Sequence, residues 1–106
     1  MTPEAKVKKK LNDLFDRLAL EGHKVYLEPR TAGGYSYRKG QPDYWAVING
    51  RHIEFEIKRE DGGQLSTMQI KWKKKFNDLG IPVYVINDIK DIERIIMLEI
   101  EIGKST

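Results

Sequence analysis

The sequence predicts a single α/β domain over residues 1–106, running helix, strand, β-hairpin, helix, strand and a closing segment. Apolar residues recur at helical spacing at Val7, Leu11, Leu14 and Leu18, and again at Met68, Trp72, Phe76 and Leu79. Between these stretches, Asn49-Gly50 separates two alternating runs, the strongest short-range signature of a two-residue type I′ hairpin. Val83, Tyr84, Val85 and Ile86 then form a nearly continuous apolar strand. The 106 residues suffice for one domain and are too few for two.

The first helix spans residues 3 to about 20, with Thr2 as N-cap and Pro3 at the first helical position. Glu4 extends the apolar stripe one step towards the N-terminus, so it should point at the protein body. A first-turn acid complementing the helix dipole is the competing reading. Glu21-Gly22 ends this helix, and residues 23–30 read as a strand with Val25 and Leu27 on one face. Residues 31–39 carry Gly33-Gly34, Tyr35, Tyr37, Arg38 and Lys39. Such a segment can stack bases and reach phosphate, or simply connect two elements.

The hairpin follows. Its turn puts Ile48 opposite Arg51, and the same count puts Asp43 opposite Glu56. Tyr44, Ala46, Ile48, Ile53, Phe55 and Ile57 form an apolar face that should enter the core. Gln41, Asp43, Trp45, Val47, His52, Glu54, Glu56 and Lys58 form the other. Directly opposed Cβ atoms lie roughly 4.5–5.5 Å apart, so the Asp43 and Glu56 carboxylates should repel each other. A hard divalent cation, Mg²⁺ or Mn²⁺, removes that penalty through oxygen ligands. Lys58 brings an ammonium to the edge of the same site. These groups point to metal-assisted hydrolysis of a phosphate ester. A solvated polar face is the alternative, but three acids against one lysine pair poorly, and Trp45 and Val47 imply partial cover by another element.

Residues 59–64 read as a polar loop containing Gly62-Gly63. The second helix runs to about Leu79, with Gly80 and Pro82 ending it. Ser66 and Gln69 have capping-box spacing, which accounts for Gln69 without any catalytic role. Trp72 on the apolar stripe reads as core. After the strand at residues 82–87, Asp88 or Asp91 can cap a final helix that buries Ile89, Ile92, Ile95 and Ile96. Residues 98–102 alternate like a strand yet can continue the helix; an exposed strand there would offer a pairing edge to a second copy.

Composition narrows the setting. Hydrophobic residues make up 40% and charged residues 33%, with no apolar run long enough to span a bilayer. There is no cysteine, hence no disulfide framework or thiolate metal site. The first residues lack the pattern of a signal peptide, and the expected location is the cytoplasm. Net charge is +3, with cations clustered at Lys6, Lys8, Lys9 and Lys10, at Arg38 and Lys39, and at Lys71, Lys73, Lys74 and Lys75. Such clusters suit a phosphate backbone; solvated helix faces are the alternative for each.

Taken together, Glu4 on a helix, a strand, Gly40-x-Pro42-Asp43, Glu56-x-Lys58, Ser66-x-x-Gln69-x-x-Trp72 and an apolar strand resemble the VRR-NUC family. This is the virus-type replication-repair nuclease branch of the PD-(D/E)xK superfamily. The resemblance runs from Glu4 to about Ile96 and is closest to the short stand-alone phage and bacterial members. It implies an αβββαβ core with helices flanking a mixed sheet. It implies Mg²⁺ or Mn²⁺ held by Asp43, Glu56 and the Ile57 carbonyl, with Lys58 orienting or deprotonating the attacking water. Glu4 would match the family's acid on the first helix, a further metal ligand, and Gln69 its glutamine after the third strand. Glu54 matches no catalytic position of the family. The resemblance further implies a homodimer acting on branched or junction DNA. Arg38, Lys39, Lys71, Lys73 and Lys74 would contact that DNA without base-specific readout. The rival reading is a non-catalytic nucleic-acid-binding or assembly protein keeping the same fold; an RNA-directed nuclease of like chemistry is a second rival.

Overall fold

The computed structural model describes residues 2–31, 38–58 and 64–104. The segment with Gly33-Gly34, Tyr35 and Tyr37 and most of the polar loop with Gly62-Gly63 lie outside them. In chain order the elements are α1 (Pro3–Leu20), β1 (Val25–Pro29), β2 (Tyr44–Ile48), β3 (Arg51–Ile57), α2 (Thr67–Asp78), β4 (Val83–Ile86) and α3 (Ile89–Lys104).

α1 starts as its sequence dictates: Thr2 Oγ1 accepts from the Ala5 amide at 3.1 Å, and Pro3 opens the helix. Val7, Leu11, Leu14 and Leu18 are buried on its inner stripe. The sheet has order β1-β2-β3-β4 and is mixed, with β1, β2 and β3 antiparallel and β4 parallel to β3. The connection through α2 supplies the crossover that a parallel pair needs.

The hairpin has its expected register, Ile48 opposite Arg51 and Tyr44 opposite Phe55. Asn49 and Gly50 both have positive φ, 50° and 82°, as a type I′ turn requires. All six residues of the apolar face are buried. They pack under α1 and α3, with Phe15 edge-on to Phe55 at 6.2 Å. α2 lies on the opposite face, where Phe76 meets His52 at 6.0 Å.

The structure decides what the sequence left open and corrects other expectations. Of the two readings open for residues 98–102 the helix holds, so no pairing edge forms there; Glu99 and Ile100 are fully buried at helical spacing from Ile92, Ile95 and Ile96. Ile89, expected in the core, is 37% exposed because it starts α3 at the rim. Met68 and Leu79 are exposed at the two ends of the α2 stripe, and Phe76 alone is buried on that helix. β4 is not covered on both faces: Val85 is exposed, since β4 is an edge strand. Asp88 rather than Asp91 serves the start of α3, its Oδ1 accepting from the Lys90 amide at 2.9 Å.

Candidate active site

Four pieces of chain meet on the α2 side of the sheet. β3 contributes Glu54 and Glu56 with Lys58 just beyond it, the segment before β2 contributes Asp43, the start of α2 contributes Gln69, and the end of β1 leads into Arg30.

Asp43 is fixed by the backbone of β3. Its Oδ2 accepts from the Ile57 amide at 2.8 Å, while its own carbonyl accepts from the Arg30 amide at 2.8 Å. Glu56 is buried, and the Gln69 Nε2 donates to its Oε1 at 2.9 Å. Burial first, and then the Asp43 carboxylate, push the Glu56 carboxyl up to about 8; the Lys58 and Lys8 ammoniums pull the other way. Asp43 and Glu56 are thus brought together on one side of the hairpin, with Lys58, half-buried, near enough for its charge to be felt.

Gln69 fills both roles open to it. Its Oε1 accepts from the Ser66 amide at 2.8 Å, and its own amide donates to Ser66 Oγ at 3.2 Å, completing a capping box. Its amide nitrogen remains for Glu56. Glu4 is half-buried on the first turn of α1. Among the described residues no group of three or more acidic or histidine side chains converges as a metal site, so Glu4 is not gathered with Asp43 and Glu56. Ile57 ends β3 and meets Asp43 through its amide.

The remaining candidates lie around this centre. Arg38 and Lys39 are exposed, and the Lys39 carbonyl accepts from Trp72 Nε1 at 3.0 Å. That bond ties the segment before Asp43 to α2, so two cationic clusters distant in sequence adjoin. On α2, Lys71 and Lys74 are exposed and Lys73 is half-buried; Lys74 pairs with Asp78 at 2.7 Å. Trp72 is half-buried beside Phe76, and the Lys75 ammonium lies 4.9 Å from the Trp72 ring centroid.

Sequence reasoning missed a second polar cluster. Glu54 is completely buried, and both its oxygens are engaged by the Arg30 guanidinium, with His52 Nε2 on Oε2. Arg30 also lies over the Phe76 ring, 5.6 Å from its centroid. The solvated reading of this face is therefore excluded at Glu54 and Glu56. The signal was the surplus of acids over lysine on the face; the missing cation comes from β1, one residue past its end.

The fold defined by these elements is that of a VRR_NUC domain. A solved structure described as "VRR_NUC domain" superposes with a TM-score of 0.75, covering 92% of this chain and 97% of that one, at 21% sequence identity. The likeness is one of fold. No protein-family model and no curated protein matches the chain.

Proposed function

We propose that this protein is a Mg²⁺- or Mn²⁺-dependent endodeoxyribonuclease, selective for branched or junction DNA rather than for sequence. The observation that carries this reading is the facing pair Asp43 and Glu56, buried enough that Glu56 rises to about 8 in the absence of a cation. At neutral pH such a pair retains a proton; a divalent ion takes its place and relieves the same repulsion. The oxygen donors suit a hard cation. Among the described residues no group of three acids converges there, which suits Mg²⁺, an ion that is usually bound by one or two carboxylates.

When bound, the ion supplies Lewis-acid polarisation of the scissile phosphate. The chain does the rest. Asp43 and Glu56 would hold the ion, with the Ile57 carbonyl as a further candidate ligand. Gln69 holds the Glu56 carboxylate in one orientation through its 2.9 Å bond. As an ammonium, Lys58 would orient the attacking water and offset charge developing at phosphorus; as the neutral amine it would instead take up the water's proton. Arg38, Lys39, Lys71, Lys73 and Lys74 contact the phosphate backbone. The homodimer rests on the resemblance alone and is tested by light scattering.

The deciding experiment is a Mg²⁺ titration on supercoiled plasmid, a four-way junction and matched RNA. Wild type should cut DNA only with metal and the junction best. Glu56→Ala should still bind DNA and fail to cut it. Metal-dependent cleavage by that variant would remove Glu56 from the mechanism, and a metal-independent mobility shift without cleavage would favour the binding-protein reading.

A further inference from the structure

Arg30 makes more connections than an ion pair needs. Its guanidinium takes both oxygens of buried Glu54, and Nη1 also donates to the Pro42 carbonyl at 3.2 Å. Its backbone amide donates to the Asp43 carbonyl at 2.8 Å. One residue thus holds the two carbonyls that flank the Asp43 Cα, those of Pro42 and of Asp43 itself. The Arg30 side chain is only 17% exposed, and its guanidinium packs against Phe76. From the other side, Trp72 holds the Lys39 carbonyl, and Gly40 touches Met68 so closely that an added Cβ would lie 2.6 Å from the Met68 Cβ. The segment carrying Asp43 is clamped between Arg30 and α2.

We infer that Arg30, anchored by Glu54, is a positioning residue that sets the Asp43 carboxylate against Glu56. The inference rests on the nuclease reading for its purpose, but its geometry does not. A lysine at position 30 would keep the charge and lose the planar fork that reaches Glu54 and Pro42 together. Glu54→Gln would keep the shape and lose half of the grip. A group that orients a ligand from behind typically changes metal affinity by about 10–100-fold when altered.

The test uses Arg30→Lys and Glu54→Gln in the full chain. Glu99→Gln is the control, breaking a comparable buried pair with Arg51 (2.9 Å) on the other side of the sheet. The first readout needs no metal. The Ile57 amide bonds to the Asp43 side chain, so its hydrogen exchange reports where that carboxylate sits. Exchange at Ile57 should quicken several-fold in Arg30→Lys and Glu54→Gln and stay unchanged in Glu99→Gln. The second readout is Mn²⁺ titration without DNA, where the two variants should bind about tenfold or more weakly than wild type and the control should match it.

If Arg30→Lys does not fold, Glu54→Gln decides. Wild-type Ile57 protection and Mn²⁺ affinity in a folded variant overturn the assignment. Collapse of both variants does so as well, because the pair would then be a determinant of the fold. A wild-type protein that binds no Mn²⁺ ends the nuclease reading while the Ile57 measurement still judges Arg30.

Discussion

On the metal-dependent reading proposed above, the proton and the cation compete for one place at Glu56. The unfolded chain holds this proton near 4.5 and the folded, metal-free chain near about 8. A raised folded value means that the group favours folding most below the unfolded value, and that this contribution is lost as pH rises through the folded one. Metal-free wild type should therefore lose Tm between about pH 4.5 and about pH 8 relative to Glu56→Gln, and Mg²⁺ should narrow the gap at the upper end. Thermal melts with and without chelator check it; parallel Tm–pH curves for the two proteins would remove the burial argument. The Asp43–Glu56 juxtaposition was legible because one turn sets the register of the whole hairpin. Glu54 was not. Its burial depends on Arg30, a partner 24 positions away on another strand, and no local pattern announces such a pair.

Elements were read most reliably where caps and periodicity agree, as in α1 and at the start of α2. They stayed open where burial depends on a neighbour. Residues 98–102 satisfy both the two-residue and the helical period, and only packing of Glu99 against Tyr84 and Arg51 decides for helix. The start of α2 carries a testable dependence. Ser66→Ala should cost about 1 kcal/mol in stability through the lost cap, measured by denaturant unfolding. Gly40→Ala should cost at least about 1 kcal/mol, because φ there is 88° and Met68 occupies the space a Cβ needs. The same substitution should reduce cleavage beyond what its stability loss explains, since it pushes the Asp43 segment off α2. A Gly40→Ala protein with wild-type Tm and activity would show that this close approach is dispensable.

Over the whole molecule, α1 and α3 cover one face of the sheet and give it a core, while α2 covers the other only in part. The cations gather on that side: Arg38 and Lys39 adjoin α2 through Trp72, and the Lys8 charge reaches Glu56 from α1. DNA affinity should fall steeply with salt, and Lys71→Ala and Lys73→Ala should each flatten the log–log slope by about 1. Filter binding across a salt series measures this; slopes identical to wild type would place the DNA elsewhere. Composition disclosed the charge clusters, but their convergence is a product of topology and could not be seen along the chain.

The Gln69 side chain faces two ways, sealing the first turn of α2 with its oxygen and holding Glu56 with its nitrogen. Its two ends can therefore be separated by chemistry. Glutamate at this position keeps the sealing oxygen but replaces the donor with a third negative charge, so the helix should survive while a vacant pocket rejects the newcomer and a filled one welcomes it. If the proposed ion binds there, such a protein would be folded yet unusually hungry for it, and its melting curve would become a direct gauge of how much cation the solution contains.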